Sequence, residues 1–393
     1  MKLAMFSIGR SKRKDGPRVL NDPAETGDAW LKTVPRWAKI CATCPSGHGG
    51  CRHMPSDQRS KPTPLSTHDM AWQEWVDIPN FTTRYKHLTR AAMGDSYHVG
   101  MAIEELPPGK RSVPFHYHML EEEHLFIMEG TVTLRLGSAR YEMKPGDYVC
   151  FPAGQKAGHC LINESDAPCR YVVVGERNPN EICVYPDSNK VLVRSLERTV
   201  LNLSARRSYW DGEDTGLPAE QRPQASPAPA LQSADKPHPP INMRDVAWED
   251  QQIDARFGGQ AKHLTYNAVG RSYHVGVMIE APGPGQRLAP RHYHMVEEEQ
   301  ALILEGEVRL LLDDTHHDLK PGDYVCFPAG LEIGHSFMNI GTGPCRYLMV
   351  GERSPHDVCV YPDSNKMAIN ALPNEDVFDS SARRRYWDGE AKT

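Results

Sequence analysis

Between residues 97 and 176 the apolar residues fall into short runs: "YHVGMAIEEL", "HLFIME", "TVTLRLG", "YEM", "DYVCFPAG", "HCLIN" and "RYVVVGE". They are rich in β-branched and aromatic residues, and the turns "PPGK", "KPGD" and "FPAG" separate them, so the pattern predicts strands. No long amphipathic helix is legible among them. Many short strands joined by tight turns predict an all-β unit, either a barrel or a sandwich.

The pattern occurs twice. "KHLT" at 86 returns at 262, "SYHVG" at 96 returns at 272, and "VYPDSNK" at 184 returns at 360. Both copies close on nearly the same tail, "SARRSYWDGE" at 204 and "SARRRYWDGE" at 381. The repeat divides the chain into an N-terminal extension (1–68), a first unit (69–213), a linker (214–244) and a second unit (245–390). Each unit is long enough for one domain. The linker contains seven prolines and little that nucleates a core, so it reads as an extended connection.

At 393 residues, 39% hydrophobic and 24% charged, the chain has a globular profile. No apolar run approaches the 18 or so residues of a membrane span. A net charge of −6 argues against a nucleic-acid partner. The charge is uneven, because residues 1–67 hold 12 Lys/Arg against 5 Asp/Glu, a basic arm on an acidic body. The first residues, "MKLAMFSIGRSKRKDG", put a short apolar stretch before the basic cluster, which is the wrong order for a secretory signal; the expectation is a cytoplasmic protein. Three cysteines recur inside apolar runs (Cys150/Cys326, Cys169/Cys345, Cys183/Cys359) and read as small buried hydrophobes.

The chemistry gathers in "HYHMLEEEHLFIMEG" at 116 and "HYHMVEEEQALILEG" at 292. On a strand, i and i+2 share a face, so His116 and His118 project together and Tyr117 points away. Glu123 follows within reach, and "GDYVCFPAGQKAGHCLIN" supplies His159 downstream. The second copy keeps His292, His294, Glu299 and His335. Three imidazoles and a carboxylate suit a divalent Mn, Fe, Ni, Co or Zn ion, with positions left open for a ligand or O₂. A lone HxH is weak evidence, but eight such residues kept at one offset are not. Glu121 and Glu122, repeated as Glu297 and Glu298, read as facing solvent or the turn.

These residues resemble the cupin superfamily. Its two motifs, G-x5-HxH-x3,4-E-x6-G and G-x5-PxG-x2-H-x3-N, are matched twice by Gly109, His116, His118, Glu123, Gly130, Gly146, Pro152, Gly154, His159 and Asn163 and their partners 176 residues on. Two spacings depart: six residues precede the first histidine after Gly109, and four separate Gly154 from His159. The resemblance implies two tandem double-stranded β-helix (jelly-roll) barrels, with one divalent metal per barrel held by His116, His118, Glu123 and His159, and by His292, His294, Glu299 and His335.

Further recurring residues are candidates for a substrate. Arg111 and Arg287 can clamp a carboxylate or phosphate, and Tyr185 and Tyr361 can close over a pocket. Arg291, which replaces Phe115, makes the second pocket a candidate for an anion, although strand alternation turns it outward. In the extension, Cys41, Cys44 and Cys51 with His53 offer a structural zinc site of unusual spacing. The expected function is a metal-dependent dioxygenase, oxidase or decarboxylase acting on a small oxygenated compound. The alternatives are a sugar or sugar-phosphate isomerase or epimerase, and a non-catalytic binder of metal and small ligands. Homo-oligomers are common among such barrels.

Overall fold

The computed structural model describes residues 61–218, 221, 236–372 and 376–390. The chain is mostly β, as its patterning requires. In the first unit, seven antiparallel strands run in the spatial order Ile241–Asn242, Asp147–Phe151, Glu123–Glu129, Cys169–Glu176, Val99–Leu106, Phe81–His87, Gln73–Ile78. A four-stranded sheet (Tyr117–His118, Ile182–Tyr185, Lys190–Val193, Thr199–Asn202) and a three-stranded sheet (His159–Ile162, Val132–Leu136, Ala139–Met143) complete it. The second unit repeats this plan, with Leu65–Ser66 on the edge of its seven-stranded sheet. This is the all-β jelly-roll pair that the sequence led us to expect.

The edge strands cross between units. Leu65 and Ser66, which precede the first barrel, pair with Tyr324 and Asp323 of the second. Ile241 and Asn242, which precede the second, pair with Tyr148 and Asp147 of the first. Each connecting segment therefore ends as a strand of the other barrel.

This arrangement explains why some runs are apolar without alternation. Along Glu123–Glu129, Leu125 and Ile127 fill the interior of barrel 1, while Phe126 belongs to a second core shared with Val275, Val277 and Leu348 of barrel 2. Asp147–Phe151 is buried at every position for the same reason: Val149 and Phe151 face inward, and Tyr148 and Cys150 face the other barrel. A strand with core on both faces needs no polar side.

Two short helices, Leu88–Met93 and Leu264–Val269, carry polar residues into this shared core. Thr89 donates to Gln300 Oε1 at 2.8 Å and lies 3.0 Å from the Tyr324 hydroxyl. Reciprocally, the Tyr148 hydroxyl lies 2.7 Å from both Thr265 Oγ1 and His124 Nδ1. All the described cysteines are free and buried, in keeping with their reading as core residues. Among the described residues, no helix is long and apolar enough to cross a membrane.

The first two glutamates of each acidic triplet are a correction. Glu121 and Glu122 are 4% and 2% exposed, and Glu297 and Glu298 are 8% and 3% exposed, so they do not face solvent. Glu122 Oε2 accepts from the backbone N–H of His274 (2.8 Å) and Val275 (3.0 Å), and Glu298 Oε2 accepts from His98 (2.8 Å) and Val99 (3.1 Å). Each carboxylate clamps the opposite barrel. Glu121 ion-pairs with Arg194 and accepts from the Asn178 N–H at 2.5 Å. Sequence alone cannot see this, because the partners lie more than 50 residues away or in the other unit.

Candidate metal centres

In barrel 1, His116 and His118 project from the segment that pairs with Ile182–Tyr185, Glu123 opens the next strand, and His159 begins the strand bridged to His116. Their four donor atoms lie within 4.8 Å of one another. Glu123 Oε2 is 3.1 Å from His118 Nε2, 3.5 Å from His159 Nε2 and 3.9 Å from His116 Nε2. In barrel 2, Glu299 Oε2 is 3.4 Å from the Nε2 atoms of both His292 and His294, and 2.9 Å from that of His335. Donor atoms bound about 2.1 Å from one ion lie roughly 3–3.5 Å apart, so the barrel 1 cluster has nearly the dimensions of a coordination shell; in barrel 2, His292, Glu299 and His335 gather in the same way, and His294 joins them through Glu299.

The donor set fits a cation by its own chemistry as well. His159 Nε2 and His294 Nε2 are buried and have no hydrogen-bond partner, an expensive condition unless a cation takes the lone pair. His116 Nδ1 lies 2.9 Å from the Pro114 carbonyl and His292 Nδ1 lies 2.8 Å from that of Pro290, which places the proton on Nδ1 and leaves Nε2 as the donor. The rings of His159 and His335 stack on Phe151 and Phe327, each with centroids 3.7 Å apart. Burial pushes both histidines down to about 4, keeping them neutral. Burial alone would raise Glu123, but its three imidazole neighbours overcome it and hold the carboxyl well below the usual range; Glu299 behaves alike.

Two carboxylates that sequence reasoning missed stand behind this cluster. Glu181 Oε1 is 3.1 Å from His118 Nδ1, and Asp357 Oδ2 is 2.6 Å from His294 Nδ1. Both are fully buried, and both also accept backbone N–H groups from the loop after HxH. They orient the ring and make Nε2 more basic. The available signal was their recurrence at the common offset as Glu and Asp.

A third acidic pair lies on the strand that lines the interior. Glu104 accepts from the Tyr171 hydroxyl at 2.7 Å, and Glu280 is bonded by Tyr347. Burial raises both glutamates to about 7, opposed by the tyrosine bond and assisted by the charge of Glu123 or Glu299. A carboxyl poised near neutrality inside a barrel can hold or release a proton.

Of the substrate candidates, Tyr185 and Tyr361 join the clusters, with ring centroids 5.9 Å from His116 and His292 respectively. Arg111 does not: it lines a cavity on the outer face with Phe115 and Cys160. Arg287 lies over the Phe257 ring, and Arg291 turns outward to Asp363, as alternation requires. Cys41, Cys44, Cys51 and His53 lie outside the described residues.

Fold and site together define a two-barrel, histidine-rich protein, and the comparisons with known proteins assign it: the chain belongs to the cupin family. The cupin domain matches residues 102–175 and 278–351. Protein SchB of Streptomyces halstedii is 32% identical over 107 residues, 27% of this chain and 74% of that protein. Quercetin 2,3-dioxygenase of Bacillus subtilis is 22% identical over 269 residues, 62% of this chain and 76% of the enzyme. Among solved structures, an oxalate decarboxylase from Lactobacillus farciminis is 18% identical with a TM-score of 0.45, over 81% of this chain and 89% of that one.

Proposed function

We propose that this protein is a metal-dependent oxidoreductase that holds one divalent transition metal in each barrel and acts on a small oxygenated organic compound. The ligands are His116, His118, Glu123 and His159, and His292, His294, Glu299 and His335. The observation that carries this reading is the twofold gathering of three imidazoles around one carboxylate, with two of the Nε2 atoms left buried and unpartnered. The likeness to a quercetin 2,3-dioxygenase over 62% of the chain supports oxygen chemistry.

A bound Mn, Fe, Ni or Co ion supplies Lewis acidity and redox capacity. The protein's own residues do the rest. Phe151 and Phe327 wall off water behind His159 and His335. Tyr185 and Tyr361 cover His116 and His292. Glu104 and Glu280, which burial raises above the usual carboxyl range, take or return a proton through carboxyl oxygens that the tyrosine hydroxyls hold in place.

Elemental analysis tests the ligands. Two metals per chain should fall to one in His116→Ala and to one in His292→Ala; unchanged content in both variants sinks the assignment. An oxygen electrode tests the reaction, with O₂ uptake expected on a panel of phenolic, diketone and oxo-acid compounds. Should the protein bind only Zn, give no uptake after exchange to Fe or Mn, and interconvert aldoses, the isomerase reading takes its place.

A further inference from the structure

The outer face of barrel 1 carries a cavity of about 540 Å³, separate from the metal cluster. Its wall is the reverse side of the strands that hold the histidines. Phe115 and Cys160, which line it, alternate with His116 and His159, which face inward and bridge one another. Four cations line the cavity, Arg111, Arg135, Arg140 and Lys190, against the single carboxylate of Asp187.

Two of these cations are already engaged. Arg135 donates to Asp187 at 2.5 and 3.0 Å and lies 3.7 Å over the Phe115 ring, and Arg140 donates to Glu164 at 2.6 Å. Among the described residues, no carboxylate pairs with Arg111 or Lys190, although both line the same hollow. The remaining lining is apolar: Phe81, Val113 and Ile162. Burial raises the Cys160 thiol to about 11, against the pull of Arg135 and Arg111, so the floor is neutral.

Barrel 2 supplies the internal contrast. Leu311 replaces Arg135, His316 replaces Arg140, and Arg291 replaces Phe115. Arg291 spends its guanidinium on Asp363 and on the Asp313 carbonyl, so the cation there is consumed within the fold.

We infer that this hollow in barrel 1 is a second ligand site, built for a small organic oxyanion whose charged group meets Arg111 and Lys190 and whose apolar body lies against Phe81 and Ile162. Guanidinium and ammonium donors beside an apolar wall select an anion joined to a hydrophobic group over a bare inorganic ion.

The test is calorimetric titration of the full, metal-loaded chain with phenyl phosphate, benzoate and inorganic phosphate. One equivalent of phenyl phosphate or benzoate should bind per chain, more tightly than inorganic phosphate, and the better of the two decides between phosphate and carboxylate. Binding should weaken roughly tenfold or more in Arg111→Gln/Lys190→Gln, the loss of charge-assisted bonds. It should also weaken in Arg135→Leu, a residue that barrel 2 tolerates at the equivalent position. It should persist in His118→Ala/His294→Ala, where circular dichroism confirms folding. Absence of saturable binding, or binding that Arg111→Gln/Lys190→Gln leaves intact, overturns the inference. So does binding lost only with the metal ligands.

Discussion

Glu181 and Asp357 each touch one ring nitrogen, yet they govern how the opposite nitrogen of His118 or His294 presents its lone pair. Removing such a partner typically costs about 10–100-fold in metal affinity. Glu181→Ala should therefore weaken metal retention in barrel 1 alone, measured by competition with a chelating dye, and Asp357→Ala should do so in barrel 2. Equal retention by wild type and variant would show that the carboxylate serves only the loop backbone. Glu104 permits a pH prediction on metal-free protein. Its folded value of about 7 lies above its ordinary 4.5, so its favourable contribution is complete below about pH 4.5 and is lost as pH rises through about 7. Glu104→Gln lacks that loss. The difference in Tm, variant minus wild type, should rise across this window; a flat difference contradicts the raised value. The clustering of the histidines was legible from sequence because their signal is local spacing, repeated. Glu104, Glu181 and Asp357 were not, because only strand pairing brings them to the site. Glu121 and Glu122 misled for a related reason. Adjacent charges look solvated until the elements around them enclose each one separately.

Strand patterning read correctly where one face is buried and the other is polar, as in Val132–Leu136. Where both faces are buried, as in Asp147–Phe151, the run still read as strand, but its second partner was invisible. The turn glycines were legible as motif members, and the structure supplies their cause. Gly130 has φ +75°, and a Cβ there would lie 2.5 Å from the Pro168 carbonyl oxygen; Gly306, at φ +82°, meets the Pro344 carbonyl in the same way. Both conflicts involve backbone that cannot swing aside. Gly306→Ala should thus destabilise by at least about 1–3 kcal/mol, the typical range for such strain, and lower Tm in a thermal melt. Survival of Gly306→Ala at wild-type Tm would mean that the turn relaxes freely.

Taken whole, the two barrels share one core and exchange both an edge strand and a buried carboxylate clamp. Glu122→Ala leaves two N–H groups of the other barrel without their acceptor. Hydrogen bonds to charged groups contribute about 1.5–3 kcal/mol each, so the loss is several kcal/mol, and it should appear in a single cooperative calorimetric transition for the entire two-barrel body. Two resolved transitions, one of them unshifted, would refute that coupling. The repeat made two barrels legible from sequence, but not their reciprocity, since the connecting segments carry little hydrophobic pattern. That reciprocity has a consequence for how the halves can change. In a symmetric pair of separate, identical chains, every substitution strikes both sites at once. Joined end to end and locked by swapped strands, the halves answer to different codons while remaining one body. Phe115 can become Arg291, and His124 can become Gln300, without either change being imposed on its twin. Covalent linkage thus lets one surface specialise while the other keeps its earlier form.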